Sequence, residues 1–293
     1  MANKIRERRS TVSHQTLEIL ERGYYAAPDG GVQSIAVAQR EAVAGSRHYR
    51  PEQLEPIETA VRSQKRPARD IRFEVTNETT LAAASRLVAR GIENPMCLNF
   101  ASARNPGGGF LKGSSGQEES LARSSGLYPC LAQMEAMYRI NRSNRSLLYS
   151  DHMIYSPGVP VFRADDNTLL PEPFRASFIT APAVNAGAVQ AKQRRDRAKI
   201  PEVMRQRIAK VLALAAHHNH RALVLGAWGC GVFQNSPAAI ASYFAEHLLH
   251  DGGAFTCAFE RVTFAIVDTS KRQETINPFK QAFRGGLPVR DET

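Results

Sequence analysis

The sequence predicts an α/β fold in which helices pack on both faces of a largely parallel or mixed sheet. From about residue 70 onward, short apolar segments alternate with longer amphipathic segments. This alternation is typical of strands connected by helices. Two of the apolar segments run directly into glycine-rich loops, and each loop precedes a predicted helix. In such folds, ligands bind at the carboxyl ends of the strands.

The N-terminal region is predicted to be a helical accessory region of residues 1–68, followed by the main domain of residues 69–293. The elements predicted in the accessory region are an amphipathic helix over Thr11–Tyr25, a short strand over Val32–Val37 and a helix over Ala38–Ala44. Pro51–Arg69 is polar and contains three prolines. We expect it to be a linker or surface segment.

The main domain is predicted to contain seven strands. They are Ile71–Val75, Met96–Phe100, Met153–Tyr155, Val159–Phe162, Ala176–Ile179, Ala222–Gly226 and Val262–Val267. The predicted helices are Thr79–Arg90, one that begins at Gln117, and Leu131–Ile140, Pro201–His218, Pro237–Leu249 and Asn277–Phe283. Asn77 is expected to cap the first of these helices and Gly91 to end it.

Composition limits the function classes. The net charge of +10 favours an anionic partner, such as a nucleotide or a polyanion. Four cysteines lack any metal-binding spacing, so free thiols in a reducing compartment are expected. The first ten residues are charged, and no apolar run reaches membrane-spanning length. These features predict a cytoplasmic protein that does not bind membranes.

The stretch from Asn99 to Ser120 combines a strand end, three consecutive glycines and a helix start. Glycines allow backbone N–H groups to approach an anion, and a helix N-terminus adds unpaired N–H groups. This geometry suits a phosphate. The adjacent carboxylates Glu118 and Glu119 would be repelled by phosphate. They therefore indicate a proton transfer next to the phosphate, as on a ribose joined to a diphosphate.

A second glycine loop repeats this arrangement. A strongly apolar segment runs into Gly226, Gly229 and Gly231, and a helix is predicted to begin near Ser236. If both loops lie at one sheet edge, they can close over a single diphosphate. Phe233 follows these glycines and has two interpretations: a platform for a ribose or base, or a core side chain.

The sequence here resembles the bacterial-type branch of the poly(ADP-ribose) glycohydrolase family. The family signature is a triple glycine followed by Gln-Glu-Glu. It stands as Gly107-Gly108-Gly109 and Gln117-Glu118-Glu119, with seven residues between. Four more stretches resemble the same branch: Asn99–Ala103, Ile154–Phe162, Phe178–Gly187 and Gly226–Asn235. The resemblance covers roughly residues 70 to 285, and about the first 45 residues more loosely.

The resemblance implies a macrodomain-like three-layer α/β/α sandwich with an N-terminal helical extension. It also implies that Glu119 is the catalytic acid and that Glu118 binds and positions the ribose whose bond is cut. The residues expected to bind substrate are Asn99, Ala103, Asn105, Gly107, Gly108, Gly109, Gln117, Gly229, Cys230, Gly231, Val232, Phe233 and Asn235. The animal enzymes place an asparagine where this chain has Ser102. The ribose contact is therefore expected from Asn99 or Asn105.

The expected activity is hydrolysis of O-glycosidic ribose–ribose bonds in poly(ADP-ribose), mainly from the chain end, without a metal or cofactor. Expected partners are the polymer or ADP-ribose, ADP-ribosylated proteins and, as a further option, ADP-ribosylated nucleic acid. Two alternatives remain open: an ADP-ribose-binding module without turnover, and a hydrolase for single ADP-ribose groups. His217, His218 and His220 are expected at a surface helix end rather than at a metal site.

Overall fold

A computed structural model describes residues 2–64, 66, 71–249 and 255–284. The strands in these ranges are β1 (Tyr24–Ala26), β2 (Val32–Ser34), β3 (Arg47–Tyr49), β4 (Arg72–Thr76), β5 (Met96–Phe100), β6 (Met153–Arg163), β7 (Leu169–Ala181), β8 (Ala222–Leu225) and β9 (Arg261–Ala265). The helices are α1 (Ala2–Arg22), α2 (Ala36–Gly45), α3 (Pro51–Ser63), α4 (Thr80–Ala89), α5 (Gln117–Ser124), α6 (Leu127–Ala132), α7 (Glu135–Ser143), α8 (Ala186–Lys192), α9 (Ile200–His217), α10 (Pro237–Leu248) and α11 (Ile276–Ala282). Two 3₁₀ turns span Phe110–Lys112 and Arg194–Lys199. None of the described helices is long and apolar enough to cross a membrane.

The predicted mixed sheet is confirmed. The described strands form a seven-stranded sheet in the order β3-β6-β7-β5-β8-β9-β4. Parallel pairing joins β7, β5, β8, β9 and β4, whereas β6 pairs antiparallel with β3 and β7. Because parallel strands end at the same edge, the carboxyl ends of β4, β5, β8 and β9 lie side by side.

The sheet is buried on both faces, as the predicted three-layer sandwich requires. Side chains alternate along each strand, so neighbouring residues enter different cores. Leu98 of β5 packs in the cluster that contains α9, α10 and α11, whereas Cys97 packs in the cluster that contains α4 and α7. Both residues are fully buried.

Capping residues position the helices that follow the site strands. The Thr79 hydroxyl caps α4 by accepting a hydrogen bond from the backbone N–H of Ala82 at 3.0 Å. The prediction that Asn77 caps this helix was wrong, because the Asn77 amide instead bonds the backbone of Asp268. Gly91 follows α4 with φ of +80°, as expected of a helix stop.

The segment predicted as a linker or surface segment contains helix α3, so it is not a linker, although most residues of this helix are exposed or partly exposed. Pro51 occupies the first helical turn, where no backbone donor is needed. Leu54 and Val61 are two helical turns apart and are buried in the core. Strand β3, which precedes α3, pairs with β6 in the main sheet. The predicted boundary between residues 68 and 69 lies outside the described residues.

Other elements differ from prediction mainly at their ends. Helix α1 begins at Ala2, nine residues before the predicted start. The predicted helix Leu131–Ile140 is divided between α6 and α7. The two strands predicted between residues 153 and 162 form one strand, β6, with a register shift between Ser156 and Val159. Helix α8 was not predicted.

Candidate active site

A cavity of about 760 Å³ lies at the carboxyl edge of the sheet. Its walls come from the end of β5 with the start of α5, from the loop after β8, and from Ile266 and Val267 after β9. We call residues 101–116 the β5 loop and residues 226–236 the β8 loop. The structure therefore brings the two glycine-containing loops to one cavity.

Gln117 fixes the start of α5 against β5. Its side-chain oxygen accepts a hydrogen bond from the backbone N–H of Phe100 at 2.8 Å. Its amide nitrogen donates to the carbonyl of Leu98 at 2.7 Å and to the Thr80 hydroxyl at 3.0 Å. The amide thus ties together β5, α4 and α5, which sets the direction of the two following glutamates.

Glu118 is 3% exposed, and both of its carboxyl oxygens are held by the protein. One oxygen accepts from Asn99 Nδ2 at 3.3 Å, and the other accepts from the backbone N–H of Ser102 at 2.6 Å. Burial raises the pKa of Glu118 to about 8, and the nearby Glu119 charge adds to this rise. The hydrogen bonds to Glu118 oppose it. In the ligand-free protein, Glu118 is therefore mostly protonated at neutral pH.

Glu119 is partly exposed and lines the cavity. Its Oε1 accepts a hydrogen bond from the backbone N–H of Gly109 at 3.0 Å. No donor from the described residues reaches Oε2. Gly108 has φ of +60°, and a Cβ at this position would lie 2.5 Å from Glu119 Oε1 and 3.2 Å from Glu118 Oε2. The glycine therefore leaves room for both carboxylates.

Several predicted substrate-binding residues of β5 and the β5 loop do not line the cavity and lie behind the wall that contains Glu118 and Glu119. The N–H of Gly108 donates to the Asn105 carbonyl at 3.0 Å, and that of Gly109 donates to Glu119. Asn99 is fully buried and bonds Glu118 and Thr180. The members of this set that do not line the described cavity are Asn99, Ala103, Asn105, Gly107, Gly108 and Gly109.

The β8 loop presents free backbone donors instead. Within the part of the chain that the structure describes, the N–H groups of Gly229, Gly231, Val232 and Phe233 donate to no protein acceptor. All four residues line the cavity, as does Cys230. Consecutive backbone donors of this kind make an anion-binding concavity. The predicted anion cradle therefore has its available donors on the β8 loop.

Buried side chains hold the β8 loop in place. The fully buried Trp228 donates from Nε1 to the Ala181 carbonyl at 3.2 Å. Asn235 Nδ2 donates to the Val184 carbonyl at 2.8 Å and thus lies behind the loop, away from the cavity. Gly229 has φ of +74°, and a Cβ there would lie 2.6 Å from Asn235. These contacts fix the direction of the free N–H groups.

The mouth of the cavity is bordered by Val232 and Phe233. Val232 is 91% exposed. Phe233 is partly buried, and its ring centroid lies 5.8 Å from that of Tyr149. Phe233 therefore fits both sequence interpretations in part: it lines the cavity, as a platform for a ribose or base would, and it also packs on Tyr149.

The sequence analysis missed the side of the cavity formed by β4 and β9. The residues there are Glu78, Thr79, Thr80, Ile266, Val267 and Thr275, and Ser102 of the β5 loop was also missed. No motif marks these positions. Their location directly after predicted parallel strands was the available signal.

The prediction of a surface position was wrong for His220, one of the three clustered histidines. His218 is partly buried and stacks on Tyr155, with ring centroids 3.6 Å apart. His220 is buried and bonds the Tyr155 hydroxyl at 2.8 Å. Burial lowers the pKa of each to about 4. His217 is exposed. No group of three possible metal-binding side chains occurs among the described residues.

The sandwich and its cavity define a macrodomain-like protein with two carboxylates beside a loop of free backbone N–H groups. Residues 13–164 match the family model for the catalytic domain of microbial-type poly(ADP-ribose) glycohydrolases. Poly(ADP-ribose) glycohydrolase from Thermomonospora curvata is 50% identical with a TM-score of 0.90, and the match covers 95% of this chain and all of that one. The chain therefore belongs to the microbial-type poly(ADP-ribose) glycohydrolase family, whose members are hydrolases.

Two liganded structures are also similar to this chain. The Thermomonospora curvata enzyme bound to the inhibitor ADP-HPD is 50% identical with a TM-score of 0.88, covering 95% of this chain and all of that one. The Deinococcus radiodurans enzyme in complex with ADP-ribose is 44% identical with a TM-score of 0.77, covering 84% of this chain and 96% of that one. Among curated protein sequences, no significant match was found.

Proposed function

We propose that this chain hydrolyses the O-glycosidic ribose–ribose bonds of poly(ADP-ribose), mainly from the chain end, with Glu119 as general acid and base. The observation that carries the proposal is the difference between the two carboxylates. Glu119 lines the cavity and keeps one oxygen free of protein donors. Glu118 also lines the cavity, but Asn99 and Ser102 hold its two oxygens, and we assign to it the positioning of the ribose.

The reaction follows from this division. Glu119 donates its proton to the departing ribose oxygen as the glycosidic bond breaks, which leaves an oxocarbenium-like ribose. Water then adds to this carbon, and its proton passes to the Glu119 carboxylate, which restores the acid. Glycosidases commonly divide these roles between two carboxylates about 5–10 Å apart. Here one side chain performs both steps, because Glu118 is enclosed by protein donors.

The diphosphate of the substrate binds to the free N–H groups of the β8 loop. Gly229, Gly231 and the next two residues supply four donors on one wall. Bound there, the diphosphate places its neighbouring ribose near the start of α5.

The polymer in the cell is expected to be carried by ADP-ribosylated proteins, with ADP-ribosylated nucleic acid as a second carrier. The predicted location is the cytoplasm, where the four free cysteines stay reduced. Cys97 and Cys130 are buried, and desolvation raises the pKa of each thiol.

The test compares Glu119→Gln with wild type and with the control Glu41→Gln, an exposed residue of α2. Release of ADP-ribose from poly(ADP-ribose) is measured by chromatography, and ADP-ribose binding by calorimetry. We expect Glu119→Gln to lower kcat by about 10²–10⁴-fold while binding is retained. Turnover at the wild-type rate would refute the role of Glu119.

The products of the wild-type reaction separate the alternatives. ADP-ribose as the main early product supports attack from the chain end, whereas early longer oligomers contradict it. Tight ADP-ribose binding without turnover of the polymer would indicate a binding module. Release only from singly modified targets would indicate a hydrolase for single ADP-ribose groups.

A further inference from the structure

Six exposed arginines lie on three neighbouring chain segments near the cavity, and we call them the basic surface: Arg104, Arg142, Arg145, Arg194, Arg195 and Arg197. Hydrogen bonds join its three chain segments. Arg142 Nη1 donates to the carbonyl of Arg104 at 2.7 Å. Gln193 Nε2 donates to the carbonyl of Arg145 at 2.7 Å, and Gln193 Oε1 accepts from the N–H of Leu147 at 2.8 Å. Hydrogen bonds between side chains and backbone therefore hold together the three segments that carry these arginines.

The charge of the basic surface is largely uncompensated. Arg142 forms an ion pair with Glu135. The other five arginines have no carboxylate partner among the described residues. The nearby Asp196 instead pairs with Lys199. Unpaired guanidinium groups in one patch attract phosphates, and each can contact a phosphate with two hydrogen bonds.

The basic surface adjoins the cavity on two sides. Arg104 lies on the β5 loop, two residues after Ser102, whose N–H holds Glu118. On the other side, Tyr149 follows Arg145 along the chain and contacts Phe233 at the cavity mouth. A polymer that extends from the cavity past Phe233 can therefore reach this patch.

We propose that the basic surface binds the diphosphates of the poly(ADP-ribose) chain that precede the terminal unit. The proposal rests on the proposed function, because the terminal unit must occupy the cavity. Each further unit carries two phosphates. Once the end of the polymer is bound, its next phosphates are present at high effective concentration. Continuity with the cavity mouth favours the attached polymer over a separate nucleic acid.

The test neutralises Arg194, Arg195 and Arg197 together by substitution with Gln. The matched control makes the same substitution at three exposed arginines away from the cavity that have no carboxylate partner among the described residues: Arg22, Arg40 and Arg72. Both variants and wild type are assayed on an ADP-ribose dimer and on long polymer over a range of NaCl concentrations. Comparison of the dimer with long polymer separates an effect on the basic surface from an effect on the cavity.

We expect the triple variant to raise KM for long polymer by about tenfold or more at low salt, because it loses phosphate contacts. Each lost contact should also lower the slope of log KM against log salt concentration by about 0.7. Its kcat should match wild type, and its KM for the dimer, which carries a single diphosphate before the terminal unit, should rise less than its KM for long polymer. Unchanged KM and salt slope for long polymer would overturn the proposal, and so would an equal effect in the control or an equal loss on the dimer.

Two further outcomes are distinguishable. If single-stranded RNA binds through these arginines and polymer binding is unchanged in the variant, the surface serves nucleic acid and the proposal is wrong. If wild type fails to cleave even the dimer, the proposed function fails. In that case, calorimetric binding of long polymer to wild type and variant still decides the role of the surface.

Discussion

Replacing Glu118 with glutamine should stabilise the ligand-free protein at neutral and alkaline pH. The wild-type carboxyl has a pKa of about 8 in the fold and 4.5 as its ordinary value. Between these two values the unfolded chain has released its proton while the folded chain retains it. Unfolding then releases a proton, so this group makes stability fall as pH rises from about 4.5 to about 8. Glutamine cannot titrate and removes this dependence.

The size of the effect follows from the same pKa difference. Each unit corresponds to about 1.4 kcal/mol, so at pH 7 the wild-type carboxyl costs on the order of 3 kcal/mol relative to an uncharged group. The hydrogen bonds can survive the change. The Oδ1 atom of Asn99 is buried without a partner. Rotation of the Asn99 amide would offer this oxygen to the new amide nitrogen, while the N–H of Ser102 keeps its acceptor.

The assay is thermal and urea unfolding of wild type and Glu118→Gln from pH 5 to pH 9, with Glu135→Gln as an exposed control. At pH 7 we expect Glu118→Gln to raise Tm by about 5 °C, from the unfolding entropy of a chain of this size. The difference in unfolding free energy should shrink toward pH 5. A difference that is constant with pH, or that grows as pH falls, would refute the assignment of a raised pKa to Glu118.

Two other substitutions test how the site is built. Gly108→Ala adds a methyl group at 2.5 Å from the Glu119 carboxylate, whereas Gly91→Ala, also at positive φ, meets nothing within 4 Å. Both substitutions should lower the free energy of unfolding by about 1–2 kcal/mol through backbone strain. Only Gly108→Ala should lower kcat, by at least tenfold, and equal kcat losses in the two variants would contradict this account. Ser13 of α1 is fully buried, and its hydroxyl donates to the Phe110 carbonyl at 2.7 Å. Ser13→Ala should lower the free energy of unfolding in urea by about 1–3 kcal/mol. An unchanged urea midpoint would show that this hydrogen bond does not hold the β5 loop.

The main sheet was predictable because its strands are buried on both faces. Such strands read as continuous apolar runs, as in Ala222–Leu225. Helix α3 was not predicted, because three prolines and many charges obscured two apolar residues, Leu54 and Val61, that face the core. Pro51 was counted against a helix although the first helical turn favours proline. The prediction failed because it followed the overall composition of the segment and not the positions of its proline and apolar residues.

The glycine pattern predicted where the site lies but could not specify what each glycine accommodates. A glycine indicates positive φ or a close approach, and the approaching group can be a ligand or a neighbouring side chain. At Gly108 the neighbours are the two carboxylates. At Gly231 nothing lies within 4 Å, and its N–H lines the cavity without a protein acceptor. This distinction depends on packing between distant segments, which the sequence pattern does not encode.

The adjacent position of the two glutamates explains why their environments differ. Successive helical residues point about 100° apart. At the start of α5, Glu118 is therefore buried in the cavity wall, whereas Glu119 is partly exposed in the cavity. Glu118 meets Asn99 and the Ser102 backbone, whereas Glu119 meets the Gly109 N–H and open space. A proton held on Glu118 removes one negative charge from the cavity. That reduces the repulsion of a bound diphosphate, which is the difficulty that two glutamates beside a phosphate site would otherwise create.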